Sequence, residues 1–159
     1  YAVRTKGTAI MLYQNNATLI MNGGEICGNS GLPADGAGHC CAIYLHSTGI
    51  MEMNGGSVCH NTGMTNGGIM VMNKTAKLTV TGGYIGENEN LYAKNPNYGS
   101  LEDIVGYADI LNFGTTKITG GTFTQDVTEY CEEEYYYCEY GFHRCCHVQS
   151  SHHKERYSL

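Results

Sequence analysis

Apolar and polar residues alternate along four stretches of this chain, and each stretch carries the same Gly-Gly step. The stretches are 19–29 (LIMNGGEICGN), 51–61 (MEMNGGSVCHN), 78–88 (LTVTGGYIGEN) and 116–126 (TKITGGTFTQD), with glycine pairs beginning at 23, 55, 82 and 120. Two positions before the pair stand Met21, Met53, Val80 and Ile118, and two positions after it stand Ile26, Val58, Ile85 and Phe123. Residues such as Glu52, Thr79 and Lys117 between them are polar. A period of two with one apolar face predicts half-buried strands, so these eight side chains should point inward. Ile20 breaks the alternation and is read as a covered outer position or an end effect.

A second apolar stretch precedes each motif at a nearly constant distance, at 9–13, 41–45, 69–73 and 109–113. A unit of several short strands cannot bury its apolar face alone and must stack on copies of itself, which makes a β-helix the simplest architecture. Only glycine takes positive φ freely, so Gly-Gly predicts a corner between strands and not a nucleotide-binding loop. Five residues past the second glycine stand Asn29, Asn61, Asn88 and Asp126, which should stack as a ladder inside or along a turn.

Composition supports this all-β reading: Gly is abundant at 22 residues, Pro is held to 2 and Trp is absent. A net charge of −6 argues against nucleic acid and anionic membrane surfaces, which call for clustered Lys and Arg. No apolar run approaches the roughly 18 residues of a membrane span, so membrane insertion is not expected. The chain opens without Met or a hydrophobic signal region and reads as a processed piece, any export signal or anchor lying outside it. Eight cysteines favour an oxidising, extracellular or cell-surface location.

The string MNGG-x-I/V-C-x-N resembles the repeats of bacterial right-handed parallel β-helix proteins of the pectin-lyase-like type, especially large surface proteins of gut Firmicutes. The resemblance covers residues 7–126 and implies a right-handed parallel β-helix of about four coils. Domain 1–127 is the helix, and 128–159 is a Cys/His/Tyr-rich cap or tail. That superfold hosts polysaccharide lyases, hydrolases, adhesins and plain stalks.

Candidate chemistry falls in the insertions after the Asn turn, at 30–39, 62–66 and 89–107, which should project from one side. Tyr92, Lys94, Asn97, Tyr98, Glu102 and Asp103 in the long insertion, with Asp35 and His39 in the first, are candidate ligand contacts. Aromatic faces stack on sugar rings, and planar polar groups hold hydroxyls. The alternative is that the long insertion packs as a lid over the flank. Glu102 and Asp103 are adjacent and diverge in a helix, so they form a poor pair for glycoside hydrolysis. No catalytic triad or nucleophile arrangement is visible, and His46 and His60 read as surface histidines on strands.

Cys27 and Cys59 hold the same place in adjacent repeats, and in-register parallel strands about 4.8 Å apart bring such positions within disulfide reach. Of Cys40 and Cys41, one should be a buried small apolar residue. Past residue 128 the repeat ends, and Cys131, Cys138, Cys145 and Cys146 are further disulfide candidates. Cys138, Cys145, Cys146 and His147 could alternatively hold tetrahedral zinc, and a tail without fixed structure is the third reading. Tyr135 and Tyr137, alternating with Glu132 and Glu134, suit a final amphipathic strand, and the acidic run 132–134 leaves calcium as another candidate ion.

The reading is of a non-catalytic extracellular β-solenoid module that presents a surface or binds glycan or a host or cell-surface protein, needing no cofactor. Two alternatives stand beside it: a carbohydrate-active β-helix enzyme, and a self-associating filament or stalk subunit.

Overall fold

The computed structural model describes residues 8–31, 41–91, 108–131, 135–139 and 143–147. It is all-β, with parallel sheets that curl into a half-barrel. One sheet aligns the second apolar stretch of every repeat: β1 (Ile10–Tyr13), β3 (Ile43–His46), β6 (Ile69–Val71) and β10 (Ile110–Asn112), in that order and all parallel. The other sheet aligns the Gly-Gly segments. β2 (Thr18–Cys27), β4 (Ile50–Cys59), β7 (Lys77–Val80) and β11 (Thr115–Ile118) stack ahead of the glycines, while β8 (Tyr84–Gly86) and β12 (Thr122–Phe123) continue the stack of β4 beyond them.

The predicted inward residues form the core. Met53, Val58, Val80, Ile85, Ile118 and Phe123 are fully buried, Met21 nearly so, and Ile26 packs against the cluster at the open end. They meet Ile43, Leu45, Ile69, Val71 and Ile110 from the first sheet. Each such burial stabilises by about 1.5–3 kcal/mol. Ile20 is exposed at 55%, the end-strand outcome of its two readings.

The glycine pair has two separate jobs. Only the second glycine of each pair takes positive φ: 84° at Gly24, 88° at Gly56, 95° at Gly83 and 114° at Gly121. The first is needed for space. A Cβ on Gly55 or Gly82 would stand 2.9 or 2.7 Å from the carbonyl oxygen of Asn22 or Asn54 in the adjacent layer. The expected corner is milder in the first two repeats, where β2 and β4 run through the pair and only shift register, a bulge between Met21 and Glu25.

The ladder forms with a different last member. Asn29 Nδ2 donates to Asn61 Oδ1 at 2.9 Å, Asn61 Nδ2 to Asn88 Oδ1 at 3.0 Å, and Asn88 Nδ2 to Asp109 Oδ1 at 2.8 Å. Asp109, not Asp126, ends the series, because Asp126 turns away to accept from Thr128 at the start of a 3₁₀ turn, Thr128–Tyr130. Nor is the Asn itself left-handed. The residue before it is: Gly28 (φ 69°), His60 (φ 52°) and Glu87 (φ 57°).

Where the second insertion was expected, β5 (Thr62–Gly63) pairs in parallel with β9 (Glu89–Asn90), and Ser30 bridges Thr62, so a third short parallel ladder leaves the Asn turn. At the far end β14 (His143–His147) lies antiparallel on β12 and pairs in turn with β13 (Tyr135–Glu139).

Candidate functional site

The strands of the first sheet are apolar on both faces. Ile10, Leu12, Ile43, Leu45, Ile69, Val71 and Ile110 serve the core, leaving the intervening side chains to the outside. Register places those outer residues in two rows running across the strands. Met11, Tyr44, Met70 and Leu111 form one. Tyr13 and His46 begin the other, and the amides of Met72 and Phe113, donating to Leu45 and Val71 carbonyls at 2.9 and 2.7 Å, extend it across the remaining strands.

Exposure varies along both rows. Tyr44, Met70 and Leu111 are buried with Cys41 in a small second core, against which Met72 packs. Cys41 is thus the buried member expected of the Cys40–Cys41 pair, its thiol donating to the Ile43 carbonyl at 3.3 Å. Met11, Tyr13 and Phe113 stand about half open, at 53%, 50% and 52%. The Tyr13 and His46 rings lie 4.8 Å apart at 34°, and Tyr44 meets the other side of His46 at 5.6 Å and 41°. His46 Nδ1 is buried and, among the described residues, has no hydrogen-bond partner. Burial, and secondarily the neighbouring Cys41, pushes the Tyr44 phenol above its ordinary value and keeps it neutral.

The row of Tyr13, His46, Met72 and Phe113 therefore presents rings and a thioether with no Lys, Arg, Asp or Glu, whereas the other row is covered except at Met11. Such surfaces bind apolar faces of planar or ring-shaped ligands through area and ring geometry.

Two polar features lie elsewhere. His60 Nε2 and Glu87 Oε2 pair at 2.9 Å across adjacent turns, both well exposed, so the contact contributes little. His60 therefore sits in a left-handed turn and not on a strand, correcting the sequence reading. The buried amide ladder ends on Asp109, whose second oxygen accepts from Thr124 Oγ1 at 2.6 Å. Every bond of that network is internal, which makes it a structural element.

Cys27 and Cys59 are joined in a disulfide, with Cα atoms 4.7 Å apart, as their shared repeat position predicted. The Cys131 thiol donates to the Val127 carbonyl at 3.5 Å. Tyr92, Lys94, Asn97, Tyr98, Glu102, Asp103, Asp35 and His39 lie outside the described residues. For the proposed metal or disulfide group, only strand register is described: Cys138 opposite Arg144, Cys145 opposite Tyr137, Cys146 opposite Tyr136 and His147 opposite Tyr135. Among the described residues no three His, Cys, Asp or Glu side chains converge as a metal site.

The outer rows escaped the sequence reading, yet a signal was there. Met11 and Tyr13, Tyr44 and His46, Met70 and Met72, Leu111 and Phe113 are spaced two apart on the face a single-sided strand would leave polar. No family model, curated protein or solved structure matches this chain.

Proposed function

We propose that this chain is a four-coil, right-handed parallel β-solenoid of the pectin-lyase-like kind, exported from the cell, which binds neutral glycan on its outer aromatic and methionine face without catalysing a reaction on it. The row of Tyr13, His46, Met72 and Phe113 carries the reading. Four side chains of ring or thioether type are held in register on a rigid sheet, half open at both ends of the row. Exposed apolar patches on a stable scaffold mark binding surfaces, and sites on strands are held more firmly than sites on loops. The in-register order β1-β3-β6-β10, matched by β2-β4-β7-β11, supports the solenoid. The Cys27–Cys59 disulfide supports an oxidising location. An acidic chain carrying an uncharged platform favours a neutral ligand over an anionic polysaccharide.

The test is calorimetric titration of the chain with a panel of neutral oligosaccharides, repeated with Tyr13→Ala and Phe113→Ala. Each substitution removes one exposed ring and should weaken binding roughly three- to tenfold, the effect of about 0.5–1.5 kcal/mol for one aromatic stack. Binding that both variants retain at full strength would move the site off this face, and release of reducing or unsaturated sugar during the titration would replace binding with catalysis.

A further inference from the structure

The corner that follows the strands of the first sheet is built in two ways. Residues 14–17 lead from Tyr13 to Thr18, and residues 73–76 lead from Met72 to Lys77, which takes the place of Thr18 two layers on. Both turns are closed by the same bond: the Ala17 amide donates to the Gln14 carbonyl at 3.0 Å, and the Ala76 amide to the Asn73 carbonyl at 2.8 Å. The later turn has no positive φ, whereas Gln14, Asn15 and Asn16 stand at 62°, 51° and 55°. Among the described residues no other two consecutive positions share that conformation. Residues with a side chain enter the left-handed region at a cost, and ordinarily one at a time. The turn at 73–76 spans the same connection without that cost, so the corner itself does not demand the strain. Strain that the fold does not need points to a use at that spot.

The side chains of the two turns are spent differently. Asn73 Oδ1 accepts from the Ser47 amide at 2.7 Å and Thr75 Oγ1 donates to the Ser47 carbonyl at 2.6 Å, so the later turn binds its neighbouring layer through side chains. In the first turn the backbone of Asn16 is held instead, its amide donating to Thr48 Oγ1 at 3.0 Å and its carbonyl accepting from Thr18 Oγ1 at 2.7 Å. The carboxamides of Gln14 and Asn15 are exposed, and among the described residues neither has a hydrogen-bond partner. They follow directly on Tyr13, the half-open ring at one end of the outer row. At the other end the same corner shrinks to Gly114, which has no side chain, and β11 starts at Thr115.

We propose that Gln14 and Asn15 are the specificity-determining residues of the outer face, their carboxamides hydrogen-bonding the hydroxyls of a neutral sugar ring stacked on Tyr13. This role rests on the glycan-binding reading of that face. A ring stack uses area and ring geometry and tolerates changes in hydroxyl orientation. A carboxamide offers an acceptor oxygen and two N–H donors in one plane, which fits a pair of neighbouring hydroxyls in one orientation and not in another. Groups fixed in place to hydrogen-bond a ligand hydroxyl reject a ligand that cannot supply it there. The Tyr13 end therefore selects, and the Phe113 end stacks without selecting.

The experiment is calorimetric titration of the full chain with linear neutral tetrasaccharides of glucose, mannose, galactose and xylose, alongside Tyr13→Ala, Phe113→Ala, Gln14→Gly and Asn15→Gly. One sugar should be preferred. Each glycine substitution removes a carboxamide at a conformation that glycine adopts freely. It should weaken the preferred sugar about three- to tenfold, bring its affinity toward that of the others, and leave the melting temperature at or above that of the native chain. Phe113→Ala should weaken all the sugars alike and keep the preference. If both glycine variants keep the native preference while Tyr13→Ala weakens binding, the platform stands and the role of Gln14 and Asn15 is overturned. An equal loss for every sugar in the glycine variants overturns it too, by showing that glycine has only loosened Tyr13. If no sugar binds, or Tyr13→Ala binds as tightly as the native chain, the glycan reading of the face falls and this role falls with it.

Discussion

At the residue scale, burial decides what an asparagine is worth. Asn61 is fully buried and uses its whole carboxamide: it donates to Asn88 Oδ1 and the Ile26 carbonyl, and accepts from the Asn29 side chain and amide. Asn54 occupies a parallel ladder on the surface, donating to Asn22 Oδ1 at 2.9 Å and accepting from Thr81 Oγ1 at 2.7 Å. Leucine at position 61 would strand buried donors and acceptors on both adjacent layers, each costing about 1–3 kcal/mol, so Asn61→Leu should destabilise by roughly 3 kcal/mol or more. Asn54→Leu leaves its partners to water and should cost about 0.5 kcal/mol or less. Urea denaturation of the two variants checks this; equal losses would mean that the buried ladder contributes no more than the exposed one. The ladder's last member shows a limit of pattern reading. Asp126 holds the repeat position, but Gln125 has already left the register to cover β10, and Asp109, the residue just before β10, supplies the terminal acceptor.

At the element scale, the same Gly-Gly pair faces different surroundings in each layer. Gly83 has φ 95°, and a Cβ there would meet the Gly56 carbonyl oxygen and Met53 Cε, both at 2.7 Å. Gly23 lies at the open end with nothing within 4 Å and no positive φ. Gly83→Ala should therefore lower stability by about 2 kcal/mol or more, combining a left-handed alanine with a backbone collision. Gly23→Ala should be neutral or stabilise by about 0.4–1 kcal/mol through a less flexible unfolded chain. Thermal melts of the pair decide it, and equal losses would mean that both glycines are needed for conformation alone. The two stacks of repeat strands, the side chains of the repeat that turn inward and the meeting of Cys27 with Cys59 were legible in the sequence, because period two and a repeated offset carry that information directly. The second face of β1, β3, β6 and β10 was not legible in the same way. Burial of Tyr44, Met70 and Leu111 is a tertiary fact, and a run such as IYL or IML reads as one apolar face until register shows two.

At the scale of the molecule, a stack of layers is only as firm at its end as its last interface. Among the described residues the first layer touches one neighbour where inner layers touch two, and its Ile10, Leu12, Leu19 and Ile26 are partly open, so it is the place where opening should begin. The Cys27–Cys59 bond ties that layer to the second across 32 residues of chain, and closing a loop of that length restricts the unfolded state by about 3–4 kcal/mol in the chain-entropy model. The bond also sits past the glycine bulge, where β2 and β4 have just recovered register, so it pins the half of β2 that the bulge would otherwise loosen. Replacing both cysteines by alanine should accelerate amide exchange in β1 and β2 while leaving β7, β8 and β11 close to their original protection. Exchange measured peptide by peptide on the native chain and the double variant discriminates the outcomes. If acceleration is confined to the first layer, the disulfide acts as a local clamp on a fraying end. If every strand accelerates equally, the layers unfold as one cooperative unit and the bond sets global stability. The clamp is the expected result, because Ile85 and Phe123 lie on strands that β1 and β2 do not pair with, while Ile26 of the first layer is only partly covered.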